Sequence, residues 1–161
     1  MNINDDRREY PPFLAAIAAG NEKVVLLMLN HGAEVEREDG TWRTPLTVAA
    51  DRGHLSVMKM LLNAGAQVKK SPYAVLQASG GGHTEAIKIL IEAGADVNAA
   101  EGGNSPLVSA ALGGNKEVVK ELLRAGADFN KSGWDDLTPL AAALQESHSE
   151  VADILLAAGA K

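Results

Sequence analysis

A Gly-Ala pair recurs five times along the chain, as Gly32-Ala33, Gly65-Ala66, Gly94-Ala95, Gly126-Ala127 and Gly159-Ala160, and no other feature narrows the choice of fold so far. The glycines are spaced by 33, 29, 32 and 33 residues. A period of that size marks stacked supersecondary units rather than one closed core. Each pair follows an apolar run at helical spacing, such as Val57-Met58-Lys59-Met60-Leu61-Leu62 or Val118-Val119-Lys120-Glu121-Leu122-Leu123. Glycine suits the position just past a helix because it turns left-handed without a Cβ penalty.

A second landmark precedes these helices. Thr44-Pro45-Leu46, Ser105-Pro106-Leu107 and Thr138-Pro139-Leu140 each put a hydroxyl at the N-cap and proline at the first position of a short alanine-rich helix. Pro11-Pro12-Phe13 holds the same place without the hydroxyl. Between the two helices of a unit lie Gly53-His54, Gly82-His83 and Gly114-Asn115, with Gly20-Asn21 and Ser147-His148 as weaker versions. The spacing therefore predicts loop, short helix, tight turn, longer helix and Gly-Ala turn, five times over. The units fall at about 11–38, 39–70, 71–99, 100–132 and 133–161, after a polar segment 1–10, in one domain of 161 residues. Two short helices cannot offset an ordering entropy of roughly 1–2 kcal/mol per residue. They become stable when the next pair covers them, so the expected fold is an all-α solenoid of stacked helix-turn-helix pairs joined by hairpin-like loops. The 34-residue tetratricopeptide pattern fits less well, because its Trp and Tyr positions are missing here and the Thr-Pro-Leu cap is foreign to it.

Thr44-Pro45-Leu46-Thr47-Val48-Ala49-Ala50 through Gly53-His54, and Glu92-Ala93-Gly94-Ala95-Asp96-Val97-Asn98, resemble the ankyrin-repeat family over roughly Pro11 to Ala160. The resemblance implies an L-shaped stack, with loops projecting as fingers and the short helices lining a concave palm. It also implies a protein-binding role, and hydroxylation of Asn98 or Asn130 in a host that has the enzyme. Two departures bear on function. The family's histidine after Thr-Pro-Leu is replaced by Leu14, Thr47, Leu76, Val108 and Ala141, so its inter-repeat hydrogen-bond network is expected to be missing and apolar packing to take the load. The third unit has about four residues fewer between Gly-Ala and its first helix. With Ser71 and Pro72 as cap and first position, that helix begins about two residues early, and a gap opens in the row of fingers.

Composition limits the functions. Acids outnumber bases by 21 to 15, for a net charge of -6, which argues against a nucleic-acid binder. The lack of cysteine removes disulfide scaffolds, thiol nucleophiles and cysteine-ligated metals. It fits a reducing cytoplasm. Met1 to Tyr10 reads as no signal peptide, and the longest apolar run, Val24 to Leu29, is far short of the roughly 20 residues of a membrane span. The four histidines lie about a repeat or more apart, three of them in equivalent inter-helix turns, where structural contacts explain them. Gly80-Gly81-Gly82-His83-Thr84 lacks the lysine of a phosphate loop and reads as a turn, and Gly102-Gly103 reads as a finger tip. No catalytic group, cofactor or metal is expected.

What remains is a non-catalytic module binding another protein or an extended peptide, as a monomer or weak homodimer. On the helix ends the expected contacts are Asp51, Arg52, Gly80, Gly81, Leu112, Gln145 and Glu146; on the fingers they are Trp42, Arg43, Asn104, Trp134, Asp135 and Asp136. Phe13 and Phe129 read as core, whereas Tyr10, Trp42 and Trp134 fall in loops. Rigid aromatic rings there offer large contact area at low entropic cost, or else fold over the neighbouring repeat. Arg43, Arg52, Lys59, Lys69 and Lys70 make one half basic, and Asp128, Asp135, Asp136, Glu146, Glu150 and Asp153 make the other acidic. Such polarity orients an oppositely charged ligand, or is ordinary solvated surface. Met1 to Tyr10 suits a cover for the first unit. At the other end the outer face of Leu155-Leu156-Ala157-Ala158 is tolerated, meets a second copy, or continues into further repeats. The alternative function is a repeat scaffold, engineered or reconstructed, without a natural ligand.

Overall fold

The computed structural model describes residues 12–38 and 43–161; Tyr10 and Trp42 therefore lie outside the described residues. Ten α-helices follow one another in five antiparallel pairs: α1 (Pro12–Ala18) with α2 (Glu22–Asn30), α3 (Pro45–Asp51) with α4 (Leu55–Asn63), α5 (Tyr73–Gly80) with α6 (Thr84–Glu92), α7 (Pro106–Leu112) with α8 (Lys116–Arg124), and α9 (Pro139–Gln145) with α10 (Ser149–Ala158). No strand occurs among the described residues. The odd-numbered helices form an inner row and the even-numbered ones an outer row, each helix packing on its equivalents before and after. The inner row is the more closely packed, as its small residues allow.

The cap chemistry explains the helix starts. Thr44, Ser105 and Thr138 accept hydrogen bonds on their side-chain oxygens from the backbone N–H of Thr47, Val108 and Ala141, with proline in the first turn each time. Leu46, Val57, Leu61, Ile87, Leu90, Leu107, Leu122 and Leu155 then close one continuous core running the length of the stack. Phe13 joins this core, while Phe129 is half-buried against its edge beside Gly159. The third unit departs from the sequence reading in detail. Its first helix begins at Tyr73, with Pro72 rather than Ser71 at the N-cap, one residue later than a Pro72 start would give.

No histidine follows Thr-Pro-Leu to make the family's network, and other inter-repeat hydrogen bonds come from the turn between the two helices of a unit. The Nε2–H of His54 donates to the Ala18 carbonyl at 3.1 Å, that of His83 to Asp51 at 3.0 Å and that of His148 to Leu112 at 3.1 Å. In the fourth unit Asn115 Nδ2 donates to the carbonyls of Ser79 and Gly80 at 2.8 and 2.9 Å. Each bond ties a second helix to the end of the first helix one unit earlier. The glycine of that earlier turn makes room for the ring. A Cβ at Gly53 would come within 2.6 Å of the His83 ring, and the backbone there has φ +64°, so glycine is required twice over. The same close approach joins Gly20 to His54, Gly82 to Asn115 and Gly114 to His148. Ser147 occupies the fifth such turn at φ +61°.

One further inter-repeat bond is buried at the other end of the inner row. Thr44 Oγ1 lies 2.7 Å from Ser71 Oγ and 3.0 Å from Thr47 Oγ1, and all three residues are buried. Thr44→Val keeps the shape and removes the cap and both hydroxyl contacts. We expect it to lower stability by about 1–3 kcal/mol, measured by urea denaturation, through the unpaired Thr47 N–H and Ser71 hydroxyl.

Candidate interaction surface

The five first-helix ends lie in a row along the stack, at Ala18, Asp51, Gly80, Leu112 and Gln145, each the last residue of its helix. Arg52, Gly81, Gly113 and Glu146 cap α3, α5, α7 and α9. Asp51 and Leu112 are half-buried, and their carbonyls take the histidine bonds from the next unit. Arg52, Gly80, Gly81, Gln145 and Glu146 are exposed. The middle of the row is bare because the helices come together there: a Cβ at Gly80 would meet Ser109 Oγ at 2.8 Å, and one at Gly113 would meet the Gly80 carbonyl at 3.0 Å.

Three of the expected contact residues converge. Asp51 Oδ2 sits 3.6 Å from Arg43 Nη2 and 3.6 Å from Arg52 Nε, so one carboxylate bridges the base of the second finger and the end of α3. At these exposures the pairs are each worth little to stability, so they position the side chains more than they hold the fold.

A second group forms where the last two fingers meet. Each finger folds as a short turn with left-handed backbone inside it, at Glu101–Gly103 and Trp134–Asp136. The later one closes through Leu137 N–H to the Trp134 carbonyl and Gly133 N–H to the Leu137 carbonyl, at 3.0 and 2.8 Å. The Trp134 Nε1–H donates to the Gly102 carbonyl, and the ring edge lies against Gly103. The ring leans on the neighbouring finger, while 64% of the residue remains exposed. Asn104 accepts the Ser105 N–H on Oδ1 and packs against Gly133, a contact that leaves it half-buried. Asp135 and Asp136 are exposed at φ +53° and +56°, a region that disfavours residues with a Cβ.

Charge is distributed differently on the two sides of the stack. On the outer row, acids and bases are paired: Glu85 with Lys88, Glu117 with Lys120, Glu121 with Arg124, and Glu150 with Lys116. The hydrogen bond from Lys116, and then its charge, holds the Glu150 carboxyl below the ordinary carboxylate range; Lys120 does the same for Glu117. Asp135, Asp136 and Glu146 make no ion pair among the described residues. They present open carboxylates beside and beyond the Trp134 ring.

Sequence reasoning missed two parts of this surface. Tyr73 lies at the start of α5, half-buried and against the space above Gly102, so the fourth finger is flanked by Tyr73 and Trp134. Leu144, on the last turn of α9, is 61% exposed. Its counterparts Ala50 and Ala111 are buried under the following unit, and no single-unit pattern distinguishes the two situations. The Asn98 side chain is occupied between units: Nδ2 donates to the Gly126 carbonyl and Oδ1 accepts the Asp128 N–H.

Stacked helix pairs with short inner helices and projecting finger turns define an α-solenoid. A family model described as ankyrin repeats, in three copies, matches residues 1–72 and 73–161. The chain belongs to the ankyrin-repeat family. It is also similar to the human ankyrin repeat and SOCS box protein 14, 41% identical over 49 residues. That match covers 30% of this chain and 8% of the human protein. Ankyrin repeats are generally protein–protein interaction modules and are generally non-catalytic. No described helix is long and apolar enough to cross a membrane.

Proposed function

We propose that this chain is a non-catalytic module that binds another protein or an extended peptide across its fingers and inner row. The observation that carries this reading is Trp134. Its indole N–H is already bonded to the Gly102 carbonyl, so the ring is held in place while its face stays open. A large, oriented aromatic surface is the usual anchor of an interface, because binding then costs little further ordering. Arg43 and Arg52 give the surface a cationic end, and Asp135, Asp136, Gln145 and Glu146 a polar and acidic one. Gly80 and Gly81 expose bare backbone next to the half-buried Leu112, against which a partner can lie close, and Asn104 supports the finger. Trp42 extends the proposed contact onto the second finger. The module acts as a monomer or weak homodimer, and a reducing cytoplasm suits a cysteine-free chain. His54, His83 and His148 are engaged by backbone carbonyls, which supports a structural role for them.

The test compares wild type with Trp134→Ala in partner capture from the source lysate, followed by calorimetry on the recovered complex. Loss of affinity by about 1–4 kcal/mol, with an unchanged melting temperature, is the expected result. Unchanged affinity together with a lowered melting temperature would make Trp134 a packing residue and remove it from the site.

A further inference from the structure

The shortened third unit leaves a notch in the row of fingers. From the Gly-Ala glycine to the first residue of the next helix, the chain spans 8 positions in this unit (Gly65 to Tyr73), against 12 from Gly94 to Pro106 and 13 from Gly126 to Pro139. The connection is reduced to one 3₁₀ turn, Val68–Lys70. Behind it lies a cavity of about 250 Å³ walled by Val68, Pro72, Val75, Ala95 and Ala99. The gap continues round Val68 into a depression of about 400 Å³ floored by Leu62, Ala66 and Ala93.

Gln67, Lys69, Ser71 and Asp96 are the polar residues that line the two hollows. Ser71 has its hydroxyl engaged by Thr44, and Asp96 turns Oδ1 back to accept the Asn98 N–H of its own turn. Lys69 borders both hollows, and Lys70 follows it; both are exposed and neither forms an ion pair among the described residues. An apolar hollow below the roughly 300–1,000 Å³ of small-molecule sites is sized for a side chain rather than a cofactor. Its rim selects the charge of what enters. We propose that the notch receives an aliphatic side chain of a partner peptide, with a carboxylate beside it held by Lys69 and Lys70. This rests on the partner-binding reading above and adds to it a location and a sequence preference.

The experiment titrates the full chain with isocaproate, a branched aliphatic chain ending in a carboxylate, and with isohexylamine, the same chain ending in an ammonium. Binding is read from methyl resonances. Isocaproate is expected to shift the Val68, Val75, Ala95 and Ala99 methyls saturably and at least several-fold more tightly than the amine. Lys69→Glu should reverse that order, and Ala95→Leu or Ala99→Leu, which fill the hollow, should abolish the shifts with the rest of the spectrum intact. Equal response to the two probes, or shifts confined to other residues, would overturn the proposal. A random peptide library selected on wild type supplies the second arm. Enrichment of an aliphatic residue next to an acid, lost on Ala95→Leu, supports it, whereas peptides retained by Ala95→Leu overturn it. The Trp134 comparison is independent of all these outcomes. A failed notch with a sensitive Trp134 leaves the module reading standing, and a working notch with an indifferent Trp134 moves the site away from the fingers.

Discussion

Gly53→Ala is expected to lower folding stability by about 2–3 kcal/mol, a large loss for one added methyl group on an inter-helix turn. The left-handed backbone at φ +64° costs an L-residue roughly 1–2 kcal/mol. The same methyl displaces the His83 ring and with it the bond to the Asp51 carbonyl, worth about 1 kcal/mol. At the equivalent position of the last unit the sign reverses. Ser147 holds φ +61° with a side chain already present, so Ser147→Gly should raise stability by about 0.5–1 kcal/mol, the relieved strain less the added freedom of the unfolded chain. Urea denaturation of the two variants beside wild type checks both signs. A Gly53→Ala protein as stable as wild type would mean that the histidine bonds carry none of the coupling between units.

The second large effect is in the core. Leu90→Ala should cost about 2–5 kcal/mol, because Leu90 is fully buried on α6 in the middle unit, where both neighbours contribute walls that cannot collapse into the space. Leu156→Ala, on the exposed side of α10, should stay within about 0.5 kcal/mol. Because each unit packs only on the ones before and after, Leu90→Ala should also broaden the denaturation transition as the two halves uncouple. A sharp transition at a merely lower midpoint would show that the five units still unfold as one.

Much of the architecture was legible because it is local. Thr44, Ser105 and Thr138 cap helices three residues away from their acceptors' donors, and the Gly-Ala turns follow from backbone conformation alone. What escaped the sequence depends on stacking. Gly114-Asn115 reads as a turn, yet the amide of Asn115 bonds carbonyls 35 and 36 residues earlier, a pairing that exists only once two units are in register. The replacement of the histidine after Thr-Pro-Leu gave no sign of the separate bonds that His54, His83 and His148 make at the other end of the short helices. Shortening of the third finger was visible as a count of residues; the apolar hollow behind it was not, since its walls come from Val68 on the 3₁₀ turn, Val75 on α5 and Ala95 just past α6. Trp134 could be placed on a loop but not against Gly102, for the same reason.

The histidine and asparagine side chains give the stack a direction, like pegs that always enter the socket of the unit before. Gly20, Gly53, Gly82 and Gly114 are open sockets, each filled by the peg of the following unit. The first unit's own peg, Asn21, is spent on its own helix, where it accepts the Val24 N–H at 3.2 Å, and the fifth socket is plugged by the Ser147 side chain. A unit set against the fifth turn would meet a Cβ where the interior joins have glycine, so the order in which units can follow one another is written at this turn in the presence or absence of one side chain.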